Sequence, residues 1–365
     1  MDQRLSDVQQ ELVRSADQML ERHAPLDRID AVAATEHGYD RDLLARTAML
    51  GWTGLGLERA GEESTLVELG LVVSRMGYFA VASPLRATMS AGLLAARLPE
   101  ATQACDDLLA RIAGEAAPVC VLDARDLDGD GTIGQVEWAA AADAFLLVTA
   151  EDADRIAVRL LPRHHAAVSV TPLEVFDNER VADVRLTALD PAGLPLIGGA
   201  SRAVWGEQTQ LTRLLRAADL LGCARRAMDM TVDNAKRRHQ FGRPIGMFQA
   251  VQHHSADMRM DVESASLLVW SALWRAAHAH PFTRHALMAA WHTGEAAERV
   301  TKTAVQLHGG IGFMKEYPLH HFYRRAKAHK LRLGTPRHLL AELGDAVLAD
   351  AERDFHGEFA AWPAA

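Results

Sequence analysis

Arg238-His-Gln-Phe-Gly-Arg-Pro-Ile-Gly-Met-Phe-Gln-Ala-Val-Gln-His-His-Ser-Ala-Asp-Met258 joins the end of one amphipathic helix to the start of another. Arg238 closes the first, where a cation suits the negative end of the helix dipole. Gly242 and Pro244 then break the pattern, and apolar periodicity resumes at Phe248, Val251 and Met258. Upstream, Leu211, Leu214, Leu215, Ala218 and Leu221 form a stripe at i, i+3, i+4, i+7 spacing. The helical period continues downstream over 246–279, 284–307, 319–331 and 337–353. Long helices joined by short turns pack as a bundle, in which cofactor sites lie between facing helices. Small residues on the stripe, Ala217, Ala218 and Gly222, would leave room for a wide pocket.

The N-terminal side of the chain has a different texture. From about 115 the runs are short and β-branched: Val119–Leu122, Ala144–Val148, Ala157–Leu161 and Ala167–Val170. Asp-Asn at 177–178 and Pro-Ala-Gly at 191–193 are turn chemistry. Before 113 the spacing is helical again, at Leu5 to Val13, Leu43 to Met49, Leu66 to Val73 and Met89 to Leu98. At 365 residues the chain exceeds what one core usually holds. Three regions are therefore expected: helices over 1–113, a small β-domain over 114–203 and a helical bundle over 204–365.

Apolar residues make up 49% and charged residues 24%, as in a soluble globular protein. The net charge of -9 argues against nucleic acid as a partner. No apolar run approaches a membrane span, and no charged-then-apolar leader opens the chain. Three cysteines without paired spacing suit reduced, packed thiols, so a cytoplasmic location is expected. The 17 histidines show no metal-type spacing. Asp126 to Glu137 fits the twelve-residue calcium loop of an EF-hand, with Gly131 at the sharp turn. Its flanks look like strands rather than helices, and Asp-Gly-Asp-Gly is equally hairpin chemistry. A structural turn and no metal is the expectation.

Arg238-x-Gln-Phe-Gly-x-Pro-Ile245 followed by Phe248-Gln-Ala-x-x-His253 resembles the signature of the acyl-CoA dehydrogenase family. Ala304-Val-Gln-Leu-His-Gly-Gly-Ile-Gly-Phe313 with Glu316-Tyr-Pro318 resembles that family's later motif. The resemblance implies a mainly α fold: an N-terminal helical domain, a central β-barrel-like domain and a C-terminal four-helix bundle. This copy is short, with the family's glycine-rich loop reduced to Ala60-Gly-Glu-Glu63.

The resemblance also implies a chemistry. An acyl-CoA loses its α-proton to a base while FAD takes the β-hydride and later passes electrons to an acceptor protein. Arg238 matches the family's diphosphate-binding arginine, accompanied by Gln240, and Phe241 matches the aromatic near the adenine. Gln306, Gly309 and Gly310 match the second phosphate-side motif. In the family these motifs reach across a dimer interface to FAD bound mainly by the neighbour. The flavin-binding loop is replaced by Val121–Asp126; Trp138 answers to the tryptophan over the flavin, but Ala140 stands where a hydroxyl is usual. Leu333 and Thr212 occupy the two positions of the family's base. Glu207, five residues before Thr212 and about 140° away around the helix, is a weak replacement. Neighbour-directed motifs are thus kept and self-directed ones lost. That pattern suits the base-lacking partner subunit of a heteromeric dehydrogenase, paired with a paralogous chain. The alternatives are a homo-oligomeric FAD enzyme with a relocated base and a scaffold or binding protein without FAD.

Overall fold

The computed structural model describes residues 4–59 and 61–360, with side chains up to residue 349. Ala60, in the shortened loop, lies outside them. The chain begins with helices α1 (Asp7–His23), α2 (Ile29–Ala33), α3 (Arg41–Met49), α4 (Leu66–Tyr78), α5 (Leu85–Ala96) and α6 (Gln103–Glu115). A capping box opens α1: Ser6 Oγ accepts the Gln9 N–H, and the Gln9 side chain accepts the Ser6 N–H. Every residue of α5 except Ala87 is buried, as its apolar, small-residue sequence requires.

Seven strands follow: β1 (Val119–Asp123), β2 (Thr132–Glu137), β3 (Ala144–Ala150), β4 (Arg155–Pro162), β5 (Val168–Leu173), β6 (Val181–Leu186) and β7 (Leu196–Ser201). They form two sheets, β1-β3-β4-β7 and β2-β6-β5. Only β1 and β3 run parallel; the other pairs are antiparallel. Neither sheet closes on itself, which corrects the barrel-like expectation. β1 packs against α5 and β7 against α6 instead of pairing onward.

The last part is helical: α7 (Arg202–Arg237), α8 (Gln249–Ala277), α9 (Thr283–His308), α10 (Leu319–Leu333) and α11 (Pro336–Ala360). At 36 residues α7 is about 54 Å long. It packs against α4, α8, α9 and α10, and the stripe read from the sequence lies wholly inside. Gly222 of α7 sits against the backbone of α4, where an added Cβ would come within 1.8 Å of Ser74 O. Gly77 of α4 reciprocates, 2.0 Å from Asp219 O. The small residues of the stripe therefore admit a helix, not a wide pocket.

Candidate functional site

β2 ends on Glu137, and the next residue, Trp138, takes a left-handed φ of 60°. That turn places both side chains inward. Trp138 is fully buried with Tyr39 edge-on at 5.8 Å, so it belongs to the core. Glu137 enters a cluster of arginines. Arg216 of α7 grips it with two bonds of 2.8 and 2.6 Å, and Arg86 of α5 adds two of 3.2 Å. Arg332 of α10 lies 3.4 Å away.

The network runs deeper. Arg86 also donates to Glu179 at 2.8 Å. Arg325 binds Asp219 at 2.8 and 2.6 Å and reaches Glu179 at 3.1 Å. Arg332 clasps Asp177 at 2.6 and 3.0 Å. His329 stands between Glu179 at 3.5 Å and Asp219 at 3.6 Å, fully enclosed. Arg86, Arg216, Arg325 and Arg332 thus face Glu137, Asp177, Glu179 and Asp219, and the charges balance with His329 neutral.

Burial alone would raise the Glu137 carboxyl, but Arg216 and Arg86 outweigh it and hold the group well below the usual range. Burial is outweighed in the same way at Glu179 by Arg86 and at Asp219 by Arg325. At His329 burial wins over its acidic neighbours and the ring is pushed down. An unfolded chain therefore takes up protons before the folded one does. Stability should fall on acidification, first below about pH 6.5 through His329 and then below about pH 4 through the carboxylates. Chemical denaturation at a series of pH values checks this; stability rising as pH falls would contradict it.

Above the cluster lies a cavity of about 360 Å³, lined by Ser90, Asp123, Asp126, Thr212, Glu137, Arg216 and Arg332 among others. Thr212, one of the two base positions, is on its wall with its hydroxyl bonded to Ser90 Oγ at 2.6 Å. Leu333, the other, is buried beside Arg332 at the end of α10. Glu207 does not face this space. It lines a separate cleft of about 1130 Å³ with Arg97 and the α8–α9 turn. Asp126, on the rim of the smaller cavity, has its carboxyl raised by burial and by Asp123. No sequence pattern marked it as a candidate base, because its neighbours are set by the three-dimensional turn. As for the calcium loop, Asp128 accepts the N–H groups of Asp130 and Thr132 and Glu137 faces the arginines, so those twelve residues form a turn and a strand.

The residues matched to the FAD anchor gather at the far end of α7 and α9. His239–Gln240 and Arg243–Pro244 pair as a minute hairpin around Phe241 (φ 55°) and Gly242 (φ 78°). Positive φ at both central residues is the turn that matches strand twist, and it favours glycine at the second. Phe241 is 91% exposed there, in a backbone region that strains a bulky residue. Arg238 Nη1 donates to His308 O at 2.7 Å, which draws the hairpin onto the α9 terminus where Gly309 and Gly310 follow. Gln240 and Gln306 are exposed beside them. This is an outward platform, and neither cavity described above includes it. Trp138 is buried in the core and lines neither cavity.

Residues 202–348 match the family model described as "Acyl-CoA dehydrogenase, C-terminal domain". The chain is 30% identical over 335 residues to the acyl-CoA dehydrogenase IpdE2 of Mycobacterium tuberculosis (strain ATCC 25618 / H37Rv), covering 90% of this chain and 94% of that one. The chain belongs to the acyl-CoA dehydrogenase family. It is also 34% identical over 222 residues to the acyl-CoA dehydrogenase FadE27 of the same organism, a match spanning 59% of either chain. Among solved structures, the ChsE4-ChsE5 complex from Mycobacterium tuberculosis superposes with a TM-score of 0.82 at 27% identity, covering all of both chains. Family membership carries an acyl-CoA dehydrogenase fold. No helix among the described residues is long and apolar enough to cross a membrane.

Proposed function

We propose that this chain is the partner subunit of a heteromeric acyl-CoA dehydrogenase that performs α,β-dehydrogenation of an acyl-CoA thioester with FAD. A paralogous chain supplies the flavin cradle and the base, and an electron-transfer protein takes the electrons. One observation carries the reading: Glu137, a carboxylate on the wall of the cavity that Thr212 lines, is bound by Arg216, Arg86 and Arg332. A carboxylate held ionised by three arginines is a poor proton acceptor, and an acyl chain gains nothing by displacing such a cluster. The ChsE4-ChsE5 structure, a complex of two named proteins, supports a two-chain assembly.

Bound FAD would supply the hydride acceptor. This chain's residues would do the holding: Arg238 would present the N–H groups not given to His308 O to phosphate, Gln240 and Gln306 would offer amides, Gly309 and Gly310 would let backbone come close, and Phe241 would offer a ring face. The rim carboxylate Asp126 favours a second reading, a homo-oligomer whose base has moved there.

Flavin content of the chain purified alone and with a paralogous chain separates the two. The expected results are a colourless, inactive chain alone and one FAD per pair of chains in the complex. Arg238→Ala in that complex should weaken FAD retention about 10- to 100-fold, as loss of a charge-assisted hydrogen bond does. A yellow chain that reduces an acceptor by itself would overturn the partner reading and make Asp126→Asn the next variant.

A further inference from the structure

His320 and His321 open the first turn of α10, and Asp30 projects from α2 in the N-terminal part of the fold. Nothing in their sequence spacing joins them. The fold does: each of the three offers one ligand atom, and these atoms lie within 4.8 Å of one another. His321 Nε2 is 3.8 Å from Asp30 Oδ1, wider by about 0.5 Å than two ligands on one tetrahedral ion with bonds of about 2.0 Å, so the exposed Asp30 side chain has to close onto the ion.

We propose that Asp30, His320 and His321 form a binding site for a borderline divalent transition-metal ion of the zinc type, tying the N-terminal helices to the bundle. Two imidazoles and one carboxylate select such an ion over magnesium or calcium, which prefer oxygen ligands alone.

The surroundings are those of a metal-binding pair of imidazoles. Ligating histidines characteristically have the second ring nitrogen fixed by a neighbour. Here His321 Nδ1 is 2.9 Å from the Asn178 side-chain amide, and His320 Nε2 is 3.1 Å from Lys315 O. Each ring keeps its other nitrogen to offer. The Asn178 amide can turn its oxygen to His321, which places the proton on Nδ1 and the lone pair on Nε2, toward Asp30. Asp30 and His320 are more exposed than His321, which leaves a way in for the ion and for water at the remaining positions.

Isothermal titration of Zn²⁺ into the full chain, first stripped with chelator, tests the site. The expected result is one tight equivalent, with no comparable binding of Mg²⁺. Asp30→Asn and His320→Gln, both at solvent-accessible positions, should each weaken that equivalent at least tenfold. Asn178→Ala should weaken it by a similar factor through loss of the ring's anchor. His164→Asn, in another adjacent histidine pair, should change nothing. Wild-type binding no tighter than that of Asp30→Asn, or equal loss in His164→Asn, would overturn the proposal. Flavin and turnover play no part in the readout, so it stands or falls apart from the subunit assignment.

Discussion

Glu137→Ala is expected to cost about 3–5 kcal/mol of stability, the usual penalty for removing one partner of a buried ionic group. The carboxylate is 12% exposed and is shared by Arg86, Arg216 and Arg332, so its loss leaves three guanidinium groups facing a space without an anion. Arg86 and Arg332 keep Glu179 and Asp177, but Arg216 has no other carboxylate within ion-pair distance among the described residues. The paired variant Glu137→Leu with Arg216→Met removes one charge of each sign and should recover most of the loss, because the remaining charges again balance. Denaturation midpoints of the three proteins decide it. A loss below about 1 kcal/mol in the single variant would mean that water reaches the arginines and that the cluster is not closed as described.

Gly222→Ala should be nearly as damaging, and for an unrelated reason. Alanine is the better helix former by about 1 kcal/mol, so a site with room would be strengthened. At Gly222 the new methyl would meet Ser74 O at 1.8 Å and Tyr78 N at 2.8 Å, both backbone atoms that no rotamer change can move. α4 and α7 would have to part along a buried seam, at about 3 kcal/mol by the upper range of overpacked cores. Gly206, in the same helix with nothing within 4 Å, provides the matched comparison. Gly206→Ala should gain up to about 1 kcal/mol. Equal effects at the two positions would show that the close crossing does not exist in solution.

The bundle was legible because its signal is periodic and long. The stripe from Leu211 to Leu221 is buried throughout, and the expected segments 284–307 and 319–331 differ from α9 and α10 by a residue or two at their ends. The β-region was read in part. The expected runs near β1, β3, β4 and β5 are continuous or β-branched, whereas β2, β6 and β7 went unread. Thr132–Glu137 carries a glycine and alternates weakly, and β7 holds Gly198 and Gly199, which pack close under Glu100 and Leu98. Such strands are specified by their neighbours, not by their own residues. Arg238, Phe241 and Gly309, matched to the FAD anchor by resemblance, fall in two unbroken motifs, and the fold brings these motifs together through the Arg238–His308 bond. The ionic cluster had no such mark. In the sequence Glu137 closes a calcium-like loop, and nothing distinguishes Arg86, Arg216 and Arg325. Their partners lie 51, 79 and 106 residues away along the chain.

The same cluster has a consequence for how the molecule comes apart. Its members are drawn from α5, β2, the β5–β6 turn, α7 and α10, so every structural region contributes at least one charge. None of these elements can detach alone without stranding an ion in the interior, at several kcal/mol. Partial openings that would release the sheets or α10 are thereby made scarce. The N-terminal helices, the sheets and the bundle core are locked into one cooperative unit, and local melting is left to elements that hold no part of the cluster, such as α1 and α11.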